Sequence, residues 1–245
     1  MDRFDLRSGE WQPAAPLATA RAAPVVGAGD AVYAIGGFGP KNGMVLSTVE
    51  RLDAGVGAWQ AEPALPEPRG GHCAVAAENA IYVLYGIGSK MDALGSIVRL
   101  DLREKKWEPV QVMEKRGKKI VPTDPRFPPP SKLRSLKNDL GCALVGDALV
   151  VCGGFDMKTG GGFGGCEILD LRTNVWAAGP DMPTGRHSHV CAAFDGQILA
   201  AGGAALDEDY SGSCFMLTGV AGTPSWLPTA SLATERKGFG LVAIP

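Results

Sequence analysis

At 245 residues, with 45% hydrophobic and 20% charged positions, the chain has the composition of a folded globular protein and enough length to bury one large core. A formal net charge of −2 gives no bulk attraction toward nucleic acid or membrane, and no uncharged apolar run approaches the ~18 residues of a bilayer span. The 34 glycines and 18 prolines suit many short strands joined by turns better than long helices.

The chain opens with MDRFDLRSGEW, which is polar, lacks the apolar core of a secretory leader, and reads as two short strands, DRFDL and GEWQ. A cytoplasmic location is expected, with the nucleus as the alternative. Four similar stretches follow: VVGAGDAVYAIGG, CAVAAENAIYVLYG, CALVGDALVVCGG and CAAFDGQILAAGG. Each is a pair of apolar strands about a Gly-Asp, Glu-Asn or Asp-Gly turn, the pattern of a β-hairpin. After each comes a polar loop, a third strand such as TVERLD, IVRLD or CEILD, a short turn and a strand carrying tryptophan; GFGLVAIP near the end reads as one more first strand.

The tryptophans mark the period. Trp11, Trp59, Trp107, Trp176 and Trp226 lie 48, 48, 69 and 50 residues apart, so one regular unit has gained about twenty residues. Glycine pairs close the second strand at Gly36–Gly37, Gly153–Gly154 and Gly202–Gly203, and Tyr85 with Gly86 takes that place in the second unit. Arg21, Arg69, Arg186 and Arg236 each fall ten residues after a tryptophan. A four-stranded unit cannot bury both of its faces alone, so radial stacking is the expected solution.

The glycine pair, the tryptophan about 22 residues on and the arginine ten beyond it resemble the kelch repeat, within the galactose oxidase and kelch-like propeller superfamily, and cover essentially the whole chain. Where kelch units often carry Tyr, seven residues before Trp, this chain has Phe4, Leu52, Leu100 and Leu169, with Leu217 nine before Trp226. The expectation is a single all-β kelch propeller over residues 1–245, of about five blades: four complete units and one blade shared by the two termini. An open arc or a fragment of a six-bladed propeller is the alternative. Residues 112–136 are expected to form an irregular, basic, Pro-rich insertion on the long-loop face.

No catalytic or metal constellation is legible in the sequence. The cysteines (Cys73, Cys142, Cys152, Cys166, Cys191 and Cys214) lack CxxC or zinc-finger spacing and read as small buried thiols. His72 and His189 both lie thirteen residues after a tryptophan, so they read as repeat-register residues. RHSHV and the glycine-rich residues 160–165 have no context for a serine hydrolase or a phosphate loop. No cofactor and no catalytic residue is expected.

Alternating strand direction sends the long connections to one face, which we take as the binding surface. Lys41, Lys90 and Lys158 each stand four residues after the unit's glycine, at equivalent places on that face, whereas the fourth loop carries Asp207. Residues 103–137 hold eleven Lys or Arg against four Asp or Glu, a local net of +7 in a chain whose remainder carries −9. The candidate binding residues are Lys41, Lys90 and Lys158, with Lys118, Lys119, Arg126 and Lys132 of the insertion and the register arginines Arg21, Arg69, Arg186 and Arg236. The reading is a protein-binding module of substrate-recognition or scaffold type, with an acidic peptide segment as partner. One alternative is a kelch-type enzyme or sugar binder at the channel mouth. The other is a weak polyanion or nucleic-acid binder through the insertion, which lacks interleaved stacking aromatics.

Overall fold

The computed structural model describes the backbone of residues 2–240 except 6, 42, 54, 56, 117–118, 123–135, 157–159 and 206–209. The hairpin turns form as their residue types dictate: each places a residue at positive φ, at Gly29 (59°), Glu78 (48°), Gly146 (55°) and Asp195 (47°). Such turns match the right-handed twist of the flanking strands.

The chain begins with the hairpin β1 (Asp2–Asp5) and β2 (Glu10–Pro13). The first blade is β3 (Val25–Ala28), β4 (Ala31–Ile35), β5 (Val49–Asp53) and β6 (Trp59–Glu62); the second is β7 (Cys73–Ala77), β8 (Ala80–Leu84), β9 (Ile97–Asp101) and β10 (Lys106–Pro109). Three strands precede the third blade: β11 (Met113–Arg116), β12 (Lys119–Pro122) and β13 (Leu136–Asn138). The third blade is β14 (Gly141–Val145) and β15 (Ala148–Cys152), then, after the two short strands β16 (Phe155–Asp156) and β17 (Gly161–Gly162), β18 (Cys166–Asp170) and β19 (Val175–Ala178). The fourth is β20 (Val190–Phe194), β21 (Gln197–Ala201), β22 (Cys214–Thr218) and β23 (Ser225–Thr229). Every blade is an antiparallel meander, and the described residues contain no helix.

The first strands are innermost, with β3 packed on β7, β7 on β14 and β14 on β20. Three apolar clusters fill the gaps between successive blades, from Val26, Ile35 and Ile81 through Leu84, Leu149 and Leu169 to Val150, Ile198 and Leu217. The residues seven or nine before each tryptophan are its direct cross-strand partners: Phe4 with Trp11, Leu52 with Trp59, Leu100 with Trp107, Leu169 with Trp176 and Leu217 with Trp226. Their apolar packing survives the departure from Tyr.

Tryptophan also ties one unit to the unit before it. The indole Nε1 donates to the carbonyl of Ala15 from Trp59 (3.0 Å), of Pro63 from Trp107 (2.8 Å) and of Pro180 from Trp226 (2.9 Å). Trp11 differs, being 70% exposed beside Phe4.

The expectation of a wholly irregular insertion is corrected. Strands β11 and β12 pair antiparallel, and β11 runs parallel to β19 with Glu114 opposite Trp176, giving the sheet order β12-β11-β19-β18-β15-β14. The hairpin therefore extends the outer edge of the third blade, far from the inner strand, instead of lying over the long-loop face. The reason is that the outermost strand of a blade leaves backbone N–H and C=O groups unpaired, and the extended backbone at Met113 and Glu114 pairs with them, Met113 N donating to Asn174 O (2.7 Å). Residues 123–135, the Pro-rich part, lie outside the described residues. So do residues 241–245, on which the shared terminal blade depends.

Candidate functional site

Five equivalent segments converge on the central channel. Ala22–Pro24, Gly71–His72, Asp139–Leu140, Ser188–His189 and Gly238–Phe239 line, with Phe38, an open cavity of about 260 Å³. The middle residue adopts the left-handed conformation in four of them, at Gly71 (59°), Asp139 (58°), Ser188 (51°) and Gly238 (64°). This bend aims the amides of Asp139, Ser188 and Gly238 along the circumference. Asp139 N donates to Gly71 O (2.9 Å), Ser188 N to Asp139 O (3.0 Å) and Gly238 N to Ser188 O (2.8 Å).

The side chains at this mouth are mixed. His72 is buried, and burial, helped by the nearby charge of Arg69 and only partly offset by the backbone of Arg69 and Ile35, pulls it down to about 3, so its imidazole is neutral. Asp139 is pushed up by burial, against the opposing pull of His187, Ser188 and Lys237. Ser188 Oγ lies 3.3 Å from Asp139 Oδ2 and 3.0 Å from His187 Nδ1. Here serine stands between the acid and the histidine, and its hydroxyl donates to the carboxylate. A nucleophilic triad instead needs the histidine between serine and acid, so that the imidazole takes the hydroxyl proton.

Exposed apolar residues stand on the long connections of the same face: Met44 (41%) between β4 and β5, Met91 (50%) between β8 and β9, and Tyr210 (52%) between β21 and β22. Lys41 and Lys90 are exposed on the first two of these loops, and Lys237 Nζ lies 5.0 Å from the Tyr210 ring centroid. Lys158 is outside the described residues, as are Lys118, Arg126 and Lys132. Lys119 begins β12 on the outer edge of the third blade, away from the channel.

The register arginines require a second correction, because three of them are scaffold and not binding surface. Arg69 and Arg186 are 0% and 1% exposed, and the Arg21 side chain is 1% exposed. Arg186 donates from Nη1 to Gly202 O and Ser213 O, both at 2.9 Å; Arg69 does the same to Tyr85 O and Ser96 O, and Arg21 to Gly36 O and Thr48 O. A guanidinium with five donors satisfies carbonyls that the glycine turn removes from the ladder. Arg236 is the exposed member, with its guanidinium 5.9 Å from the Phe239 ring centroid.

The glycine pair fits the same joint. The second glycine donates to the next unit's arginine carbonyl, from Gly37 to Arg69 (2.7 Å), Gly154 to Arg186 (2.9 Å) and Gly203 to Arg236 (2.8 Å). A Cβ on Gly37 (φ 94°) would lie 2.2 Å from Ala22 O, and one on Gly153 (φ 67°) would lie 2.6 Å from Arg186 O.

The joint between the second and third blades lacks these parts. Lys137 stands at the arginine register, and Tyr85 replaces the first glycine at φ 59°, its ring stacked on Trp176 at 6.4 Å and 22°. Trp176 Nε1, Tyr85 Oη and Glu167 Oε2 are all buried without a hydrogen-bond partner. Glu50, at the register of Glu167, accepts from Ala18 N (2.7 Å) and Arg21. Without such donors, burial pushes Glu167 up to about 8. Sequence reasoning missed this residue, although comparing the arginine and Glu50 registers across units would have exposed the mismatch.

Four-stranded antiparallel blades whose inner strands pack side by side, with one face trimmed to tight turns and the other carrying long loops, define a β-propeller. The chain is thus a β-propeller, two segments of which, residues 68–113 and 138–183, match the kelch motif. It is 26% identical over 213 residues to Kelch-like protein 40 of Xenopus tropicalis, covering 86% of this chain and 31% of the relative. It is 32% identical over 100 residues to human Kelch-like protein 33 (40% and 18%), and 26% identical over 196 residues to human Kelch-like protein 34 (76% and 28%). The chain thus spans less than a third of the length of these curated relatives.

Proposed function

We propose that this chain is a protein-recognition module of substrate-recognition or scaffold type, which binds a segment of another protein at the channel mouth and carries out no reaction of its own. The observation that carries this reading is the rim. Met44, Met91 and Tyr210 present adaptable or amphipathic apolar surface, and Lys41, Lys90 and Lys237 stand beside them. Flexible thioethers and tyrosine are the residue types that supply contact area at protein interfaces. The lysines select a partner with carboxylates next to its apolar residues. The fitting ligand is an acidic, apolar-tipped peptide segment, its tip over the cavity at Asp139 and His72. Its similarity to Kelch-like proteins supports a protein-binding role in general.

Selection of a displayed random-peptide library on the full chain tests this. Enriched peptides are expected to combine acidic with apolar residues. They should lose affinity severalfold in a K41E/K90E variant at low salt, and less at high salt, because exposed charges are screened beyond ~8 Å. Peptides without acidic residues, or affinities that K41E/K90E leaves unchanged, would overturn the reading.

A further inference from the structure

Between the third and fourth blades three ligating side chains meet. Cys152 ends β15, Cys191 lies in β20, and His189 stands two residues before Cys191 at the head of that strand. Cys152 Sγ is 3.5 Å from Cys191 Sγ and 3.7 Å from His189 Nε2, and all three ligand atoms lie within 4.8 Å of one another. Cys152 and His189 are buried and Cys191 is partly buried. A cation held by thiolate sulfur at ~2.3 Å and imidazole nitrogen at ~2.0–2.1 Å puts its donors about 3.5–4.0 Å from each other, the longer end for trigonal geometry. The sulfur pair and the sulfur–nitrogen pair already have that spacing.

The surrounding backbone makes room for this cluster. A Cβ on Gly141 would lie 2.4 Å from His189 Nε2 and 2.6 Å from Cys191 Sγ, and one on Gly153 would lie 2.4 Å from His189 Cε1. In the first, second and fourth units the position of Gly141 is held by Val25, Cys73 and Val190, so the glycine is particular to this joint.

Charge discriminates among cations. The guanidinium of Arg186 is close enough for its charge to act on Cys152, Cys191 and His189. Among the described residues its partners are neutral: the carbonyls of Gly202, Ser213 and Thr184 and the Ser213 hydroxyl, with the Phe215 ring 4.8 Å away. Arg21 and Arg69, by contrast, pair with Glu50 and Glu67. Two thiolates around a monovalent cation leave one negative charge, which compensates Arg186; a divalent cation would leave none. Two sulfur donors and one imidazole also form a soft set suited to three-coordinate Cu⁺.

We propose that Cys152, His189 and Cys191 form a buried site for a soft monovalent d¹⁰ cation, Cu⁺, at the joint between the third and fourth blades. Binding needs no change of oxidation state: each thiol gives up its proton to solvent as its sulfur bonds the metal. A ligand there clamps the two blades and sits beside the channel mouth, since His189 also lines the cavity.

The test is anaerobic titration of the reduced full chain with Cu⁺ against a chromogenic Cu⁺ chelator, with Zn²⁺ titrated in parallel. One equivalent of Cu⁺ is expected to bind and to raise the melting temperature. C152S/C191S should lose it, and C73S/C214S, which changes two other buried cysteines, should keep it. X-ray absorption on the loaded parent chain, which needs no variant, should show two sulfur and one nitrogen donors. Absence of stoichiometric Cu⁺ binding, tighter binding of Zn²⁺, retention in C152S/C191S, or a shell without two sulfurs would overturn the proposal.

Discussion

Glu167 offers a sharp test of the altered joint between the second and third blades. Its carboxyl is buried, lacks the arginine that serves Glu50, and sits at about 8 instead of 4.5. Below about pH 4.5 the folded and unfolded chains both hold the proton, and the group contributes nothing to the pH dependence. As pH rises from there toward about 8 the unfolded chain ionises while the folded one stays protonated, so stability falls by up to ~1.4 kcal/mol per pH unit. Above about 8 both states are ionised and the penalty levels off. The shift corresponds to at most about 5 kcal/mol, and local relaxation or water entry brings the expected figure to about 3 kcal/mol. In a chain of this size that is on the order of 10 °C in melting temperature. Thermal melts of the parent and Glu167→Gln at about pH 5 and about pH 8.5 should therefore diverge, with the parent losing more stability at the alkaline end. Parallel pH dependences for parent and variant would refute the reasoning, since every other titrating group is common to both.

The indole bonds predict an order among tryptophans: Trp226→Phe strands the Pro180 carbonyl and should cost about 1 kcal/mol more than Trp176→Phe, whose Nε1 has no partner to lose. Equal losses in denaturant melts would show that the bond carries no weight. Replacing residues 113–122 by a Gly-Ser linker should lower the melting temperature by several degrees, because it strips β19 of its parallel partner; an unchanged melt would make the hairpin peripheral. Neutral, buried His72 must charge when the chain unfolds below its ordinary value of about 6.5, so stability should decline as pH falls from there toward about 3. His72→Leu should flatten that acid limb, and an identical limb would contradict it.

The periodic residues made the fold readable. Tryptophan, the glycine pair and arginine recur because each makes the same contact in each unit, and Leu52, Leu100, Leu169 and Leu217 occupy the cross-strand place that the spacing assigns. The insertion was misread because its lysines and prolines dominate the composition, whereas the strand pattern in Met113–Arg116 and Lys119–Pro122 is only four residues long on each side. Position at the head of a strand said nothing about depth for Arg69 and Arg186; counting the carbonyls that each glycine turn frees would have buried them. The thiol and imidazole cluster crosses a blade boundary, with Cys152 and His189 37 residues apart, and a spacing rule confined to one unit cannot see it.

The bonds from Asp139 to Gly71, Ser188 to Asp139 and Gly238 to Ser188 use only main-chain atoms. They act like part of a hoop drawn round the inside of a cask: along the arc from Gly71 to Gly238 the spacing is set by peptide dimensions, whatever side chains project from it. The neighbouring positions hold Pro24, His72, Leu140, His189 and Phe239, two imidazoles and three apolar side chains of different shape. Ligand preference at the opening can therefore be rewritten one residue at a time without altering the main-chain arc against which a ligand must fit.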